Sequence, residues 1–179
     1  MNKAAFLDRD GVINRKAPEG KYITRWEDLH FLPGVGEAIG LLNRAGFLII
    51  VITNQRCVAK GLITLAELEV IHEKMRAELA CAGSTLDGVY YCPHELEPPC
   101  MCRKPRPGLL LKAARDHHID LTLSWMIGDS DIDVQAGRSA GCNTVRLLQS
   151  GESESIQSDL MATTLLDATR NILQWESTR

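Results

Sequence analysis

The chain lacks most of what would tie it to a membrane or a nucleic acid. Its most sustained apolar run, residues 47–52, falls far short of a bilayer span, and the first residues carry no apolar signal-peptide core. A cytoplasmic protein is therefore expected. There is no basic run and no interleaving of basic with aromatic residues, aromatics being only 5% of the chain, and the formal net charge is −3. Nucleic acid is accordingly not favoured as a partner. Internal repeats and low-complexity segments are also missing. With 179 residues, 45% of them hydrophobic and 24% charged, the composition fits one globular domain over residues 1–179, large enough to bury a core without covalent staples. A monomer is expected.

What is present concentrates at the N-terminus. Ala4-Ala5-Phe6-Leu7 is too short an apolar run for a helix and reads as a buried strand, and it ends abruptly in Asp8-Arg9-Asp10-Gly11. Residues two apart at a strand's carboxyl end project to the same side, so Asp8 and Asp10 are expected to share one patch outside the sheet. Gly11 lets the backbone turn there. Asp and Gly also favour plain turns. A Ca²⁺ loop does not fit, because the glycine comes too early. Two adjacent carboxylates repel, and such a site needs a cation, a shared proton, or both.

The remaining pattern alternates strands with helices. A long connection over 14–33, containing Pro18, Gly20 and Pro33, leaves directly from the Asp pair, a position from which it could fold over the site as a flap. Helical spacing over 35–45 stops at Gly46. Residues 47–52 form an unbroken β-branched-rich run, the mark of a strand covered on both faces, ending in Thr53-Asn54-Gln55. Thr64 with Glu67 forms a capping box for a helix reaching about residue 82. A short strand over 88–91 follows, then a helix opened by Pro107 in its first turn and running to about 117. Residues 123–127 read as a strand ending in Gly128-Asp129, and a helix runs to Ala140. A last strand spans 143–147, a polar connection 149–163, and a terminal helix 164–176. The pattern implies a doubly wound, Rossmann-like α/β fold with a core over 4–148 and no room for a cap domain.

Parallel topology brings the strand ends to one edge, gathering Asp8, Asp10, Thr53, Asn54, Asp129 and Asp133, with Arg103-Lys104-Pro105 just ahead of a helix. Hydroxyl, amide and ammonium suit an anionic, oxygen-rich ligand, with carboxylates holding Mg²⁺ against it. That combination describes phosphoryl transfer through a carboxylate nucleophile. Separately, three of the six cysteines fall in Cys92-Pro-His94-(five residues)-Cys100-Met-Cys102. Three thiols and one imidazole with no open position describe a closed structural zinc site. His30, His72, His117 and His118 have no such company and read as core or surface residues.

Asp8-x-Asp10-Gly-Val, Thr53-Asn54-Gln55, Lys104 and Gly128-Asp129-x-x-x-Asp133 resemble, in order and spacing, the four motifs of the haloacid-dehalogenase superfamily of phosphatases. The resemblance implies Asp8 as nucleophile, Asp10 as acid and base, and Thr53 and Lys104 as holders of the phosphoryl oxygens. It also implies Asp8, the Asp10 carbonyl and Asp129 as Mg²⁺ ligands, and Asp133 as support for Lys104 or the metal's waters from behind. The zinc loop is similar to that of the small capless members acting on heptose bisphosphates or histidinol phosphate. The segments 90–94, 102–108 and 58–61 look more like the heptose type, whose product feeds nucleotide-activated heptose. The short gap between His94 and Cys100, Ser130 and Cys57 depart from it. By resemblance, Arg103 recognises substrate and residues 16–22 and 53–56, with Asn54, Gln55 and Arg56, line its pocket. Histidinol phosphate is the alternative substrate. Phosphoryl transfer to another hydroxyl is disfavoured because no cap shields the intermediate from water. A non-catalytic zinc scaffold would have no need of the clustered charges.

Overall fold

Ala4 and Phe6 pack into one apolar cluster and Ala5 and Leu7 into another, so the first strand feeds two cores at once. This strand, β1 (Lys3–Leu7), lies at the centre of the sheet, and its residues from Ala4 on are fully buried. The computed structural model describes residues 1–148 and 156–178. Among the described residues the other strands are β2 (Phe47–Asn54), β3 (Gly88–Cys92), β4 (Trp125–Gly128), β5 (Asn143–Leu147) and β6 (Leu160–Ala162). All pair in parallel in the order β3-β2-β1-β4-β5-β6. The chain thus winds outward from β1 first one way and then the other, and the crevice at that switch, between β1 and β4, is where an open α/β sheet binds ligands.

The helices are α1 (Val35–Arg44), α2 (Leu65–Cys81), α3 (Gly108–Asp116), α4 (Asp131–Ala140) and α5 (Leu165–Ser177). Val35, Leu68, Met75 and Ile172 join the Ala5–Leu7 cluster, placing α1, α2 and α5 on that face. Leu109, Leu110 and Ala136 join the Ala4–Phe6 cluster, placing α3 and α4 on the opposite one. The doubly wound reading is therefore correct. The Thr64–Glu67 capping box is present, and Gly46 follows α1 with φ +81°, as a helix stop requires.

Three boundaries differ from expectation. The connection assigned to 149–163 is interrupted by β6, so 143–147 is not the last strand; residues 149–155 of that connection lie outside the described residues. β6 is a three-residue, half-exposed edge without hydrophobic alternation. It is held by its register with β5 and by Asp159 Oδ2, which accepts from the Thr144 amide (2.8 Å) and hydroxyl (2.7 Å). Residues Leu121–Leu123 form a 3-10 turn, which delays β4 to Trp125. Pro107 stands just before α3 and not in its first turn.

Candidate active site

Asp8, immediately beyond β1, continues the parity of Ala4 and Phe6, toward α3 and α4. There its Oδ1 meets Lys104 Nζ at 2.8 Å. The ammonium is buried and has three acceptors: Asp8, Asp133 Oδ1 at 2.7 Å and the Ile52 carbonyl at 2.8 Å. Three donors meeting three acceptors explain how a lysine is kept charged away from water. Burial alone lowers its pKa, but Asp133 and Asp8 raise it well above the ordinary value. Burial pushes Asp8 up to about 7 against the opposing pull of Lys104. Asp133 is fully buried, and its Oδ2 receives the Ser130 amide (3.1 Å) and hydroxyl, completing the α4 capping box. A Cβ on Gly128 would lie 2.1 Å from Asp133 Cβ, so only glycine admits this approach.

Asp10 faces the same cavity, of about 340 Å³, which is also lined by Thr53, Lys104 and Asp129. Its carboxylate receives Arg9 Nη2 (2.9 and 3.0 Å), Arg9 Nε (3.3 Å), Asn14 Nδ2 (2.9 Å) and Gln55 Nε2 (3.0 Å). Burial would raise its pKa, but the Arg9 charge and these hydrogen bonds hold it below the usual range. Two carboxylates two residues apart are thus driven in opposite directions by their surroundings, Asp8 upward by burial and Asp10 downward by the Arg9 charge and its hydrogen bonds; a cation bound at Asp8 would favour its ionised form.

Asp129, beyond β4, pairs with Lys16 Nζ at 2.6 Å. Burial raises its pKa while Lys16 opposes. Gly11, at φ +95°, makes room here: a Cβ would lie 1.8 Å from Asp129 Oδ2. Carboxylate oxygens of Asp8, Asp129 and Asp133 lie within 4.8 Å of one another. Such hard oxygen donors fit Mg²⁺, and with Asp133 engaged by Lys104 and Ser130, Asp8 and Asp129 are the carboxylates left to face an ion. The connection after β1 does fold against the site, contributing residues 16–23 to the cavity wall.

Thr53 is buried and accepts Gln55 Nε2 at 2.8 Å, leaving its hydroxyl hydrogen to donate. Asn54 lines the cavity, but its amide is spent on the Lys104 backbone, accepting from the amide (3.1 Å) and donating to the carbonyl (3.2 Å). Gln55 serves Asp10 and Thr53. Arg56 pairs with Glu95 and does not line the cavity. Arg103 donates to the His94 carbonyl (3.5 Å) and borders a neighbouring depression with Leu96, Arg106 and Ile132. Asn54, Gln55 and Arg56 thus have side-chain partners within the protein, and Arg103 stands at the rim, in a depression that shares Lys104 and Ile132 with the cavity.

In the cysteine loop, Cys102 Sγ lies 3.3 Å from both Cys92 and Cys100 Sγ and 3.1 Å from His94 Nδ1. Cys92 Sγ is 3.5 Å from Cys100 and 3.6 Å from His94. A zinc tetrahedron with thiolate bonds of about 2.3 Å has sulfur–sulfur edges of roughly 3.8 Å, so the four ligand atoms already enclose a space of that order. The donor set fits zinc.

Sequence reasoning did not find Arg9, Asn14 or the surroundings of His72. Strand parity was the available signal: if Asp8 and Asp10 face α3 and α4, Arg9 between them must face α2.

A HAD-hydrolase-like family model matches residues 101–168. The D-glycero-beta-D-manno-heptose-1,7-bisphosphate 7-phosphatase of Vibrio cholerae is 37% identical over 94% of this chain and 93% of its own length. The enzyme of the same name from Escherichia coli K12 is 37% identical over 96% and 92%. A crystal structure of D,D-heptose 1,7-bisphosphate phosphatase from B. bronchiseptica, complexed with magnesium and phosphate, superposes with a TM-score of 0.86 at 33% identity, covering 97% of this chain and 99% of that one. The chain belongs to the haloacid-dehalogenase-like phosphatases. It is a phosphoric monoester hydrolase of the capless, single-domain kind, similar along nearly its whole length to these heptose bisphosphate phosphatases.

Proposed function

We propose that the protein is a Mg²⁺-dependent phosphatase that removes the 7-phosphate of D-glycero-D-manno-heptose 1,7-bisphosphate through an aspartyl-phosphate on Asp8. The observation that carries the chemistry is Lys104 Nζ, buried between Asp8 and Asp133 at the carboxyl edge of the sheet. Asp8 attacks phosphorus in line with the departing sugar oxygen, and the P–O bond to the sugar breaks. Asp10 delivers the proton to that oxygen, then takes one from the water that attacks the aspartyl-phosphate, so phosphate leaves and Asp8 is regenerated. Thr53 holds a phosphoryl oxygen through its free hydroxyl hydrogen, and Lys104 holds another through the N–H that meets Asp8 before the carboxylate attacks. Asp8, the Asp10 carbonyl and Asp129 would hold Mg²⁺, which would supply charge neutralisation to those oxygens.

Zinc bound by Cys92, His94, Cys100 and Cys102 is structural in this reading. It fixes the loop whose end is Arg103-Lys104, and the reciprocal Asn54–Lys104 backbone bonds then carry that rigidity to the end of β2. The sugar bisphosphate assignment is supported by the two curated relatives and the magnesium–phosphate complex.

Phosphate release from heptose 1,7-bisphosphate, fructose 1,6-bisphosphate and histidinol phosphate tests the substrate. The highest kcat/KM is expected for the heptose, with the 1-phosphate as product. A preference for histidinol phosphate would contradict the assignment.

A further inference from the structure

His72 lies on the buried stripe of α2, and its ring is 1% exposed. A buried imidazole needs a partner, and the only one recorded among the described residues is Arg9: Nε2 lies 3.3 Å from Arg9 Nη1. Guanidinium only donates, so Nε2 is the acceptor and the ring proton sits on Nδ1. Arg9 is itself 1% exposed, and its other edge, Nε and Nη2, is committed to both oxygens of Asp10. The guanidinium is therefore clamped from two sides, by Asp10 toward the cavity and by His72 toward the helix layer. Tyr91 packs on the imidazole with ring centroids 5.4 Å apart and donates its hydroxyl to Glu69 at 2.5 Å, limiting how the ring can turn.

We propose that His72 is a positioning residue for catalysis: by accepting from Arg9, it holds the guanidinium fork on Asp10 and so fixes the carboxylate that transfers protons to and from the leaving oxygen and the attacking water. This rests on the reading of Asp10 as the proton carrier. The effect belongs to kcat, because Asp10 acts on the reacting bond while the phosphoryl group is held by other residues. In the absence of His72, Arg9 keeps a buried N–H with no acceptor, and the fork is free to rotate away from Asp10.

The test compares His72→Leu, which removes the acceptor, with His72→Gln, whose amide oxygen restores one. Both are assayed on heptose 1,7-bisphosphate and on p-nitrophenyl phosphate, beside Asp10→Asn. The leucine variant is expected to lose about tenfold in kcat with KM within about twofold, and the glutamine variant to recover to within about threefold of the parent. Wild-type kcat in the leucine variant, or a folded glutamine variant as slow as leucine, would overturn the proposal. Should the leucine variant not fold, NMR of the ring nitrogens in the unmodified protein decides: Nδ1 protonated with Nε2 bare is expected, and a protonated Nε2 overturns it. If Asp10→Asn retains wild-type kcat, the proton-carrier reading fails and this proposal with it. An inactive Asp10→Asn beside a fully active His72→Leu removes His72 alone. Turnover of p-nitrophenyl phosphate without heptose bisphosphate counts against the substrate assignment and leaves the variant comparison readable.

Discussion

Arg9 stands between two carboxylates in sequence, yet its guanidinium serves only one of them in space, Asp8 receiving just the backbone amide. It binds Asp10 and leaves Asp8 to Lys104, and that division gives two chemically identical side chains different work. Asp8→Asn is expected to abolish turnover, by a factor of about 10⁴ or more, while thermal unfolding stays close to the parent's; appreciable residual kcat would remove Asp8 as nucleophile. Lys104→Met should do more than slow the enzyme. It strands Asp8 and Asp133 as buried, unpaired carboxylates, and breaking such a buried cluster costs about 3–5 kcal/mol, readable in urea unfolding. The neutral His72 has a pH signature of its own. Burial first, then the charges of Arg9 and Arg76, hold it down at about 3 from an ordinary 6.5, with Asp10 opposing. Between those values the unfolded chain binds a proton that the folded one refuses, so this residue's contribution makes stability fall as pH drops from 6.5 toward 3. His72→Gln should flatten that part of the unfolding profile. Asp8 and Asp10 were legible in sequence because their spacing is tied to a strand end, and Lys104 because it stands between the cysteine loop and a helix. Arg9 was not, since a cation flanked by carboxylates in a turn reads as solvated until the face it occupies is known.

At the scale of elements, the site is assembled by connections and caps more than by the strands themselves. The cysteine loop ends in the lysine that meets Asp8, and Arg56–Glu95 ties the same loop to the turn after β2. Removing zinc with a chelator should lower the melting temperature by several degrees and reduce kcat together with it, because the loop then no longer fixes Lys104. Unchanged melting and rate after verified zinc loss would show the loop to be self-supporting. Gly128 makes a second elemental demand. Gly128→Ala must push Asp133 away from β4, and a loss in kcat of about tenfold or more is expected, with the fold retained by circular dichroism. The cluster of Cys92, His94, Cys100 and Cys102 could be read directly from its spacing, and the α2 cap from Thr64 and Glu67. β6 could not: three half-exposed residues carry no periodic signal, and their strand state comes from pairing with β5 and the Asp159–Thr144 bonds.

For the whole molecule, the decisive feature is that every pairing in the sheet is parallel, with β1 at the switch point. Asp8, Thr53 and Asp129 lie far apart in sequence and meet because their strands all end on one edge. The doubly wound fold was legible for the same reason, as alternating strands and helices allow few other arrangements. Directions inside the site were harder to read. Asn54, the last residue of β2, and Gln55 and Arg56 after it are polar residues suited to a ligand, yet the structure turns them to Lys104, Asp10 and Glu95. Whether this edge works through a covalent step is the question on which the account stands. Rapid mixing of enzyme with phosphate-labelled heptose bisphosphate, an acid quench within a single turnover, and peptide mapping answer it. The account predicts label on the peptide bearing Asp8, lost in Asp8→Asn and accumulating when Asp10→Asn slows hydrolysis. Label on another residue, or its absence at every time point while phosphate is released, would contradict it.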